Sequence, residues 1–262
     1  MNTTKDKIEK LTNNGYELDF GTVFEYAFEN YKKIAVYAGS MLLIFTFLFI
    51  FLLFGIAITV FGIGFITENL KPENLKPETF TGTFLLIYTG FILLITCLVS
   101  PFQAGFLKMA DCAQKGEEFN VSTMFEYYKP PFFTNIVGAT FIITFISSGL
   151  SILIEYTGIP AFGLLTSLAI TLLTFLTVPL IVFGNLNAID AIKSSIQLIL
   201  KQPLLILALL IVAFLASLVG LMGFCIGIFF TMPFLYSMEY SIYNSIIGID
   251  YSSEIDELGT NV

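Results

Sequence analysis

The chain has 262 residues, of which 56% are hydrophobic and 12% are charged. Soluble domains are nearer a quarter charged, so this composition belongs to a membrane protein. A net charge of −8 excludes the basic face that nucleic acid requires. The absence of histidine excludes an imidazole base, an HExxH motif and a His-based iron or zinc site.

The first segment, Met1 to Asp19, is polar and lacks an apolar h-region. No cleaved signal peptide is expected, so the first span directs insertion. Next comes Thr22-Val23-Phe24-Glu25-Tyr26, which returns as Thr123-Met124-Phe125-Glu126-Tyr127 and, more weakly, as Asn187-Ala188-Ile189-Asp190-Ala191. Each string reads as a capping box, with a Thr or Asn cap and an acid three residues on. Each opens a segment that leads into a long apolar run.

The first and third of these lead-in segments are amphipathic. Phe20, Phe24, Ala27, Phe28 and Tyr31 share one face, opposite Glu25, Glu29, Lys32 and Lys33, with Glu29 and Lys33 at a favourable i,i+4 spacing. Ile189, Ile192, Ile196 and Ile199 form a stripe opposite Lys193, Gln197 and Lys201. The second lead-in, Thr123 to Lys129, is short and is stopped by Pro130-Pro131. All three are expected to lie on the membrane interface, with partner docking as the alternative.

Five runs carry no charge: Ile34–Ile66, Thr79–Leu107, Pro130–Ile154, Tyr156–Ile189 and Gln202–Met238. A span needs about 20 residues. The fourth run opens on Gly158-Ile159-Pro160-Ala161-Phe162-Gly163, which is turn chemistry, so its span starts near Leu164. The fifth, as one helix, would reach about 55 Å. It must fold back, at Gly220-Leu221-Met222-Gly223. The fold class expected is an all-α polytopic membrane protein with six spans. They lie near residues 36–64, 82–107, 134–154, 164–185, 203–220 and 224–247, inside one membrane domain at 20–249. They form three two-span units, each preceded by a lead-in helix.

Lysine placement sets the orientation. Lys5, Lys7, Lys10, Lys32, Lys33, Lys108, Lys115, Lys129, Lys193 and Lys201 fall on one side, and Lys71 and Lys76 on the other. The positive-inside rule places both termini in the cytoplasm. The outer loop repeats Glu68-Asn69-Leu70-Lys71-Pro72 as Glu73-Asn74-Leu75-Lys76-Pro77, a local duplication in a tolerant loop. The tail from Asp250 to Val262 is acidic and reads as disordered. Cys97, Cys112 and Cys225 show no paired spacing, so no disulfide framework is expected.

Each even-numbered span carries one proline: Pro101, Pro179 and Pro233. A mid-span proline kinks the helix and frees a carbonyl, and Thr96, Thr174 and Thr231 stand within about a turn to satisfy it. These kinks serve either packing or a gating or pathway role. Glu239 lies six residues after Pro233. An ionisable group there is a site candidate, against the plainer reading of a headgroup-depth charge paired with Lys108 or Lys193. Lys108 and Asn185 occupy the corresponding places after Pro101 and Pro179. Together Glu239, Asn185 and Lys108 form either a polar ring lining a vestibule or three ordinary helix ends. Glu155 with Tyr156 reads as an outer-interface pair.

Pro101-Phe102-Gln103-Ala104-Gly105-Phe106, Ala188-Ile189-Asp190-Ala191-Ile192-Lys193-Ser194-Ser195 and Thr231-Met232-Pro233, with the lead-in segments, carry a resemblance. From about Phe20 to Gly248 the chain resembles a loose group of bacterial six-span membrane proteins. The group includes uncharacterised integral membrane proteins and the membrane-anchor domain found beside glycerophosphodiester phosphodiesterases. The catalytic phosphodiesterase domain has no counterpart in these residues. Some similar sequences carry a beta-carotene monooxygenase label, which the residues do not support, since propeller-type carotenoid-cleaving enzymes hold iron with four histidines. The resemblance implies no activity and transfers no site residues.

No phosphate loop, dinucleotide fingerprint or nucleophile elbow is present, and no cofactor is implied. The expected function is that of a non-catalytic protein of the bacterial cytoplasmic membrane that organises lipid or a partner, or passes a small solute. The alternative is an embedded enzyme acting on a lipid or isoprenoid, with a site of carboxylate, Lys108 and tyrosine hydroxyls at the cytoplasmic face. Expected partners are membrane lipids, a second copy or another protein, and no nucleic acid.

Overall fold

The computed structural model describes residues 4–69, 71, 82–155, 160–223 and 226–248. Most of the duplicated outer loop, Tyr156, the Gly158-Ile159 turn, Cys225, the side chain of Glu155 and the acidic tail lie outside the described residues. Among those described there is no strand. Five helical stretches are long and apolar enough to cross a membrane: Phe20–Val60, Tyr88–Lys115, Phe132–Ile154, Phe162–Val182 and Pro203–Met222.

The polar N-terminal segment is itself helical. Helix α1 (Thr4–Asn14) seats Ile8, which is only 4% exposed, against the body of the protein. Lys5 pairs with Asp190 at 2.5 Å, and the Tyr16 hydroxyl donates to the Leu198 carbonyl at 2.8 Å. The Gln202 amide donates in turn to the Tyr16 carbonyl.

Helix α2 (Phe20–Phe61) is continuous through the first lead-in and the first span. The interfacial helix expected at the start is therefore not separate. The reason is the buried face: Val23, Ala27, Asn30, Ile34 and Ala38 recur every three or four residues across the junction, with Val23 and Ala27 in one core and Ile34 and Ala38 in the other. At 1.5 Å per residue the helix is roughly 63 Å long. Its cap is Asp19, whose carboxylate accepts from the Thr22 N–H and hydroxyl, both at 2.7 Å. Glu29 pairs with Lys32 at 2.5 Å, while Lys33 donates to the Ala113 carbonyl at 3.2 Å, so the expected Glu29–Lys33 pair is not made.

The cap shifts in the same way at the second copy. Asn120 caps helix α5 (Val121–Met124) and exchanges hydrogen bonds with Thr123 and Ser122. Asp and Asn are better caps than Thr, so where one stands three residues earlier the helix starts there. The third copy caps as read: Asn187 accepts from the Asp190 N–H at 2.9 Å and opens helix α9 (Ala188–Ile199). Its buried face is Ala191, Ser195, Leu198 and Ile199, with Ile189 56% exposed. The isoleucine stripe is thus rotated partly away from the protein, because α9 is packed by its neighbours and not by lipid alone.

Helix α3 (Ile63–Asn69) follows Gly62, and helix α4 (Gly82–Lys115) continues a further two turns past the expected end of the second span. Helix α6 (Phe132–Glu155) returns against helix α7 (Pro160–Leu173). Ser151 and Ser167 hydroxyls meet at 2.7 Å between them, and Ser151 also donates to the Gly163 carbonyl at 3.1 Å. Such hydroxyl bonds hold apolar helices together where lipid competes for the rest of the surface.

The prolines act unequally. Pro101 stays inside α4, and the carbonyl it frees, that of Cys97, accepts from the Ser100 hydroxyl at 3.0 Å. Pro179 sits in the short helix α8 (Thr177–Val182), parted from α7 by a turn at residues 174–176, where the ring's clash with the residue-175 carbonyl falls. Helix α10 (Pro203–Leu218) ends in a 3-10 turn at Val219–Met222, at the expected fold-back. A side chain on Gly220 would stand 2.5 Å from the Gly227 carbonyl, so the chain doubles back with backbone against backbone. Helix α11 (Gly227–Thr231) and helix α12 (Pro233–Ile246) are parted at Met232 by Pro233. The threonines do not meet the freed carbonyls. Thr96 donates to Ile92, Thr174 to Ile170, and Thr231 to Ser217 at 2.6 Å. Thr96 and Thr174 reach their own preceding turn, as a helical threonine most easily does, while Thr231 crosses to α10.

Two cores result. One gathers Leu180, Leu198, Leu209, Met238 and Ile242 from α8, α9, α10 and α12. The other gathers Ile34, Phe106, Met109 and Tyr240 from α2, α4 and α12. Outward faces carry large apolar side chains, with Phe51 and Leu204 both 80% exposed. That surface suits hydrocarbon and not water.

Candidate functional site

Three helices bring polar groups together at the end that holds Lys33, Lys108 and Lys115. The N-terminal part of α2, the C-terminal part of α4 and α12 meet there, with α4 and α12 running parallel to one another. On α4, Lys108, Asp111 and Lys115 stand at i, i+3 and i+7, on one helix face. Asp111 is 2% exposed. One of its oxygens lies 3.6 Å from the Lys108 ammonium and 3.3 Å from that of Lys115. The other accepts from the Tyr240 hydroxyl at 3.3 Å.

A second set of bonds lies beside it. Asn30 of α2 is fully buried, and its amide donates to the Ala110 carbonyl at 2.7 Å. The Ser237 hydroxyl of α12 donates back to the Asn30 side-chain oxygen at 2.9 Å. One turn nearer the α2 start, the Asn244 amide donates to the Tyr26 hydroxyl at 3.1 Å, and the Tyr26 ring stacks on Tyr240. Phe183, just after α8, closes on Tyr240 and Tyr243 with ring centroids 5.7 and 5.5 Å away. Each buried polar group named in this network has a partner, which is what burial demands of it. A carboxylate held by two ammoniums and a phenol is compensated, so the attraction repays the cost of burying its charge.

The sequence candidates are dispersed around this network. Lys108 joins it through Asp111. Glu239 is half-buried on α12 and forms no ion pair with Lys108 or Lys193. Asn185 is exposed and takes φ 52°, the left-handed conformation that asparagine tolerates, in the turn between α8 and α9. No hydrogen bond or ion pair among the described residues joins any two of the three. Pro101, Pro179 and Pro233 are all buried, Pro101 inside the continuous α4 and the other two beside helix breaks.

Asp111, Asn30, Ser237 and Tyr240 are the residues that sequence reasoning passed over. Closing the second span at Leu107 put Asp111 in a loop. The signal that finds it is the Lys108–Asp111–Lys115 spacing, which is helical and continues the span. Outside the apolar helices, the Asp190 carboxyl is held below the usual carboxylate range, first by its hydrogen bond from Lys5 and also by Asn187 and Lys193. The Asp19 carboxyl is held low by its hydrogen bonds from Thr22. Burial pushes the Tyr16 phenol up to about 12. Among the described residues no group of three or more Cys, Asp or Glu side chains is placed to hold a metal ion.

No family model, no curated protein and no solved structure matches this chain.

Proposed function

We propose that this chain is a six-span protein of the bacterial cytoplasmic membrane, with both termini cytoplasmic. It acts without catalytic machinery, holding lipid or a partner against the outer faces of its bundle. The observation that carries this reading is the division of polarity. The buried polar groups of the α2–α4–α12 network spend their hydrogen-bonding capacity on one another, while the surface offered outward is apolar. The sixth span is α11 with α12, whose residues 227–246 cover about 30 Å despite the break at Met232. Lysine placement supports the orientation, and the likeness to bacterial six-span membrane proteins supports the class.

The embedded-enzyme reading has one observation in its favour: a carboxylate, an ammonium and a phenol do meet, at Asp111, Lys108 and Tyr240. Their burial argues against it. Asp111 is 2% and Tyr240 0% exposed, so a substrate finds neither group at a surface. The test is extraction in polymer-bounded nanodiscs and mass spectrometry of the co-purified lipids and proteins. Enrichment of one lipid class or one partner over a control six-span protein supports the reading. A composition equal to that of the bulk membrane overturns it. A reporter fused to the C-terminus reads cytoplasmic if the span count is six.

A further inference from the structure

Beside each of the three prolines a backbone group is bonded by a hydroxyl from a lead-in segment. At Pro101 of α4, the carbonyl three residues earlier, that of Leu98, accepts from Tyr128 at 2.8 Å. Tyr128 belongs to the 3-10 turn Glu126–Tyr128 that follows α5, in the second lead-in. At Pro179 of α8, the Ser195 hydroxyl of α9 brackets the break. It donates to the Leu173 carbonyl at 2.8 Å and accepts from the Leu176 N–H at 3.1 Å. Leu176 again stands three residues before the proline. At Pro233, the carbonyl three residues earlier, that of Phe230, accepts from the Tyr31 hydroxyl of α2 at 3.0 Å.

The pairing follows a rule of order. The second lead-in serves the proline of the first unit, and the third serves that of the second. The first lead-in closes on the proline of the last, a bond between residues 199 apart in the chain. We propose that Tyr31, Tyr128 and Ser195 are latches that join three units into a closed ring, so that displacement of a lead-in segment loosens the helix at the proline it is latched to.

Two features besides the bonds favour this. A proline removes a ladder bond from its own helix, so the latch supplies part of what fixes the backbone there. Two of the latched pairs also approach at a glycine. A side chain on Gly105 would stand 2.6 Å from the Met124 backbone of the second lead-in, and one on Gly39 of α2 would stand 2.9 Å from the Phe230 Cα. The second lead-in on α4, and α2 just beyond the first lead-in on α11, therefore pack backbone against backbone and transmit displacement with little slack. The inference rests on these bonds and contacts and not on the span count or on any ligand.

The test uses the full chain in nanodiscs, with hydrogen exchange read peptide by peptide at the three breaks. Tyr31→Phe and Tyr128→Phe keep the ring packing, and Ser195→Ala keeps the helix. Each is expected to speed exchange at its own break about fivefold, the equivalent of one net hydrogen bond, and to leave the other two unchanged. Gly105→Ala retains Tyr128 but pushes the second lead-in off α4. It is expected to speed exchange at residues 97–103 alone. The proposal is overturned if a latch variant leaves its own break unchanged or speeds all three equally. It is equally overturned if Gly105→Ala leaves the Pro101 region as it was.

Discussion

Replacing Asp111 by Asn removes the one negative charge that two lysines share while leaving shape and burial nearly the same. At separations of 3.6 and 3.3 Å, each ion pair is worth about 5 kcal/mol of gross attraction at an effective dielectric constant of about 20. Desolvation of the three groups offsets most of that, and removal of one partner from a buried pair costs about 3–5 kcal/mol net. The Lys108 side chain is 23% exposed and that of Lys115 12%, so water recovers part of the loss. The expected cost of Asp111→Asn is therefore the lower end, about 3 kcal/mol. A thiol-reactive dye provides the assay, since Cys97 and Cys112 are free and buried until the fold opens. The midpoint should fall by roughly 6–12 °C. A combined Lys108→Met, Asp111→Leu, Lys115→Met and Tyr240→Phe variant should recover most of the loss, because neither an uncompensated charge nor an unpaired Tyr240 hydroxyl remains. A shift of under roughly 2 °C for Asp111→Asn would refute the reasoning. A combined variant as unstable as the single one would show that packing, not charge, is at stake.

Three further outcomes follow from the same structure. Gly220→Ala should cost about 1–3 kcal/mol, because its new carbon would stand 2.3 Å from the Thr231 hydroxyl and 2.5 Å from the Gly227 backbone; the same dye-reported melt measures it. Asn30→Leu leaves the Ser237 hydroxyl without its acceptor and the Ala110 carbonyl without its side-chain donor; a loss of about 1–3 kcal/mol is expected, and a melt at or above that of the parent would count against it. Asp19 and Asp190 both have lowered carboxyl pKa values in the fold. Their stabilising effect is therefore complete above the ordinary carboxylate range and fades as pH falls below about 4. Limited proteolysis should find the N-terminal segment and α1 more readily cut on acidification, and Asp190→Asn should flatten that dependence at α1.

Some of this molecule was legible from residue order alone. Apolar runs between charges located the five described helical stretches that are long and apolar enough to cross a membrane, because a bilayer demands length and hydropathy and little else. Gly220-Leu221-Met222-Gly223 marked the fold-back because only glycine lets backbones approach so closely. Asn187 marked the start of α9 because no better cap precedes it. What the sequence misassigned, it misassigned for local reasons. Thr22 and Thr123 resembled caps until Asp19 and Asn120, three residues earlier, took that place. Thr96, Thr174 and Thr231 stood near freed carbonyls but bonded elsewhere.

The tertiary structure decided the rest. That Asp111 is buried, and that Tyr240, Asn30 and Ser237 gather beside it, depends on α2, α4 and α12 meeting, and no spacing within one helix encodes that. Likewise the prolines announce breaks in the sequence, but the hydroxyls that close them come from segments as much as 199 residues away. Hydropathy is a property of each stretch by itself, so order along the chain determines which stretches enter the membrane. Hydrogen bonds and ion pairs between helices require two partners, and only packing determines which partners meet.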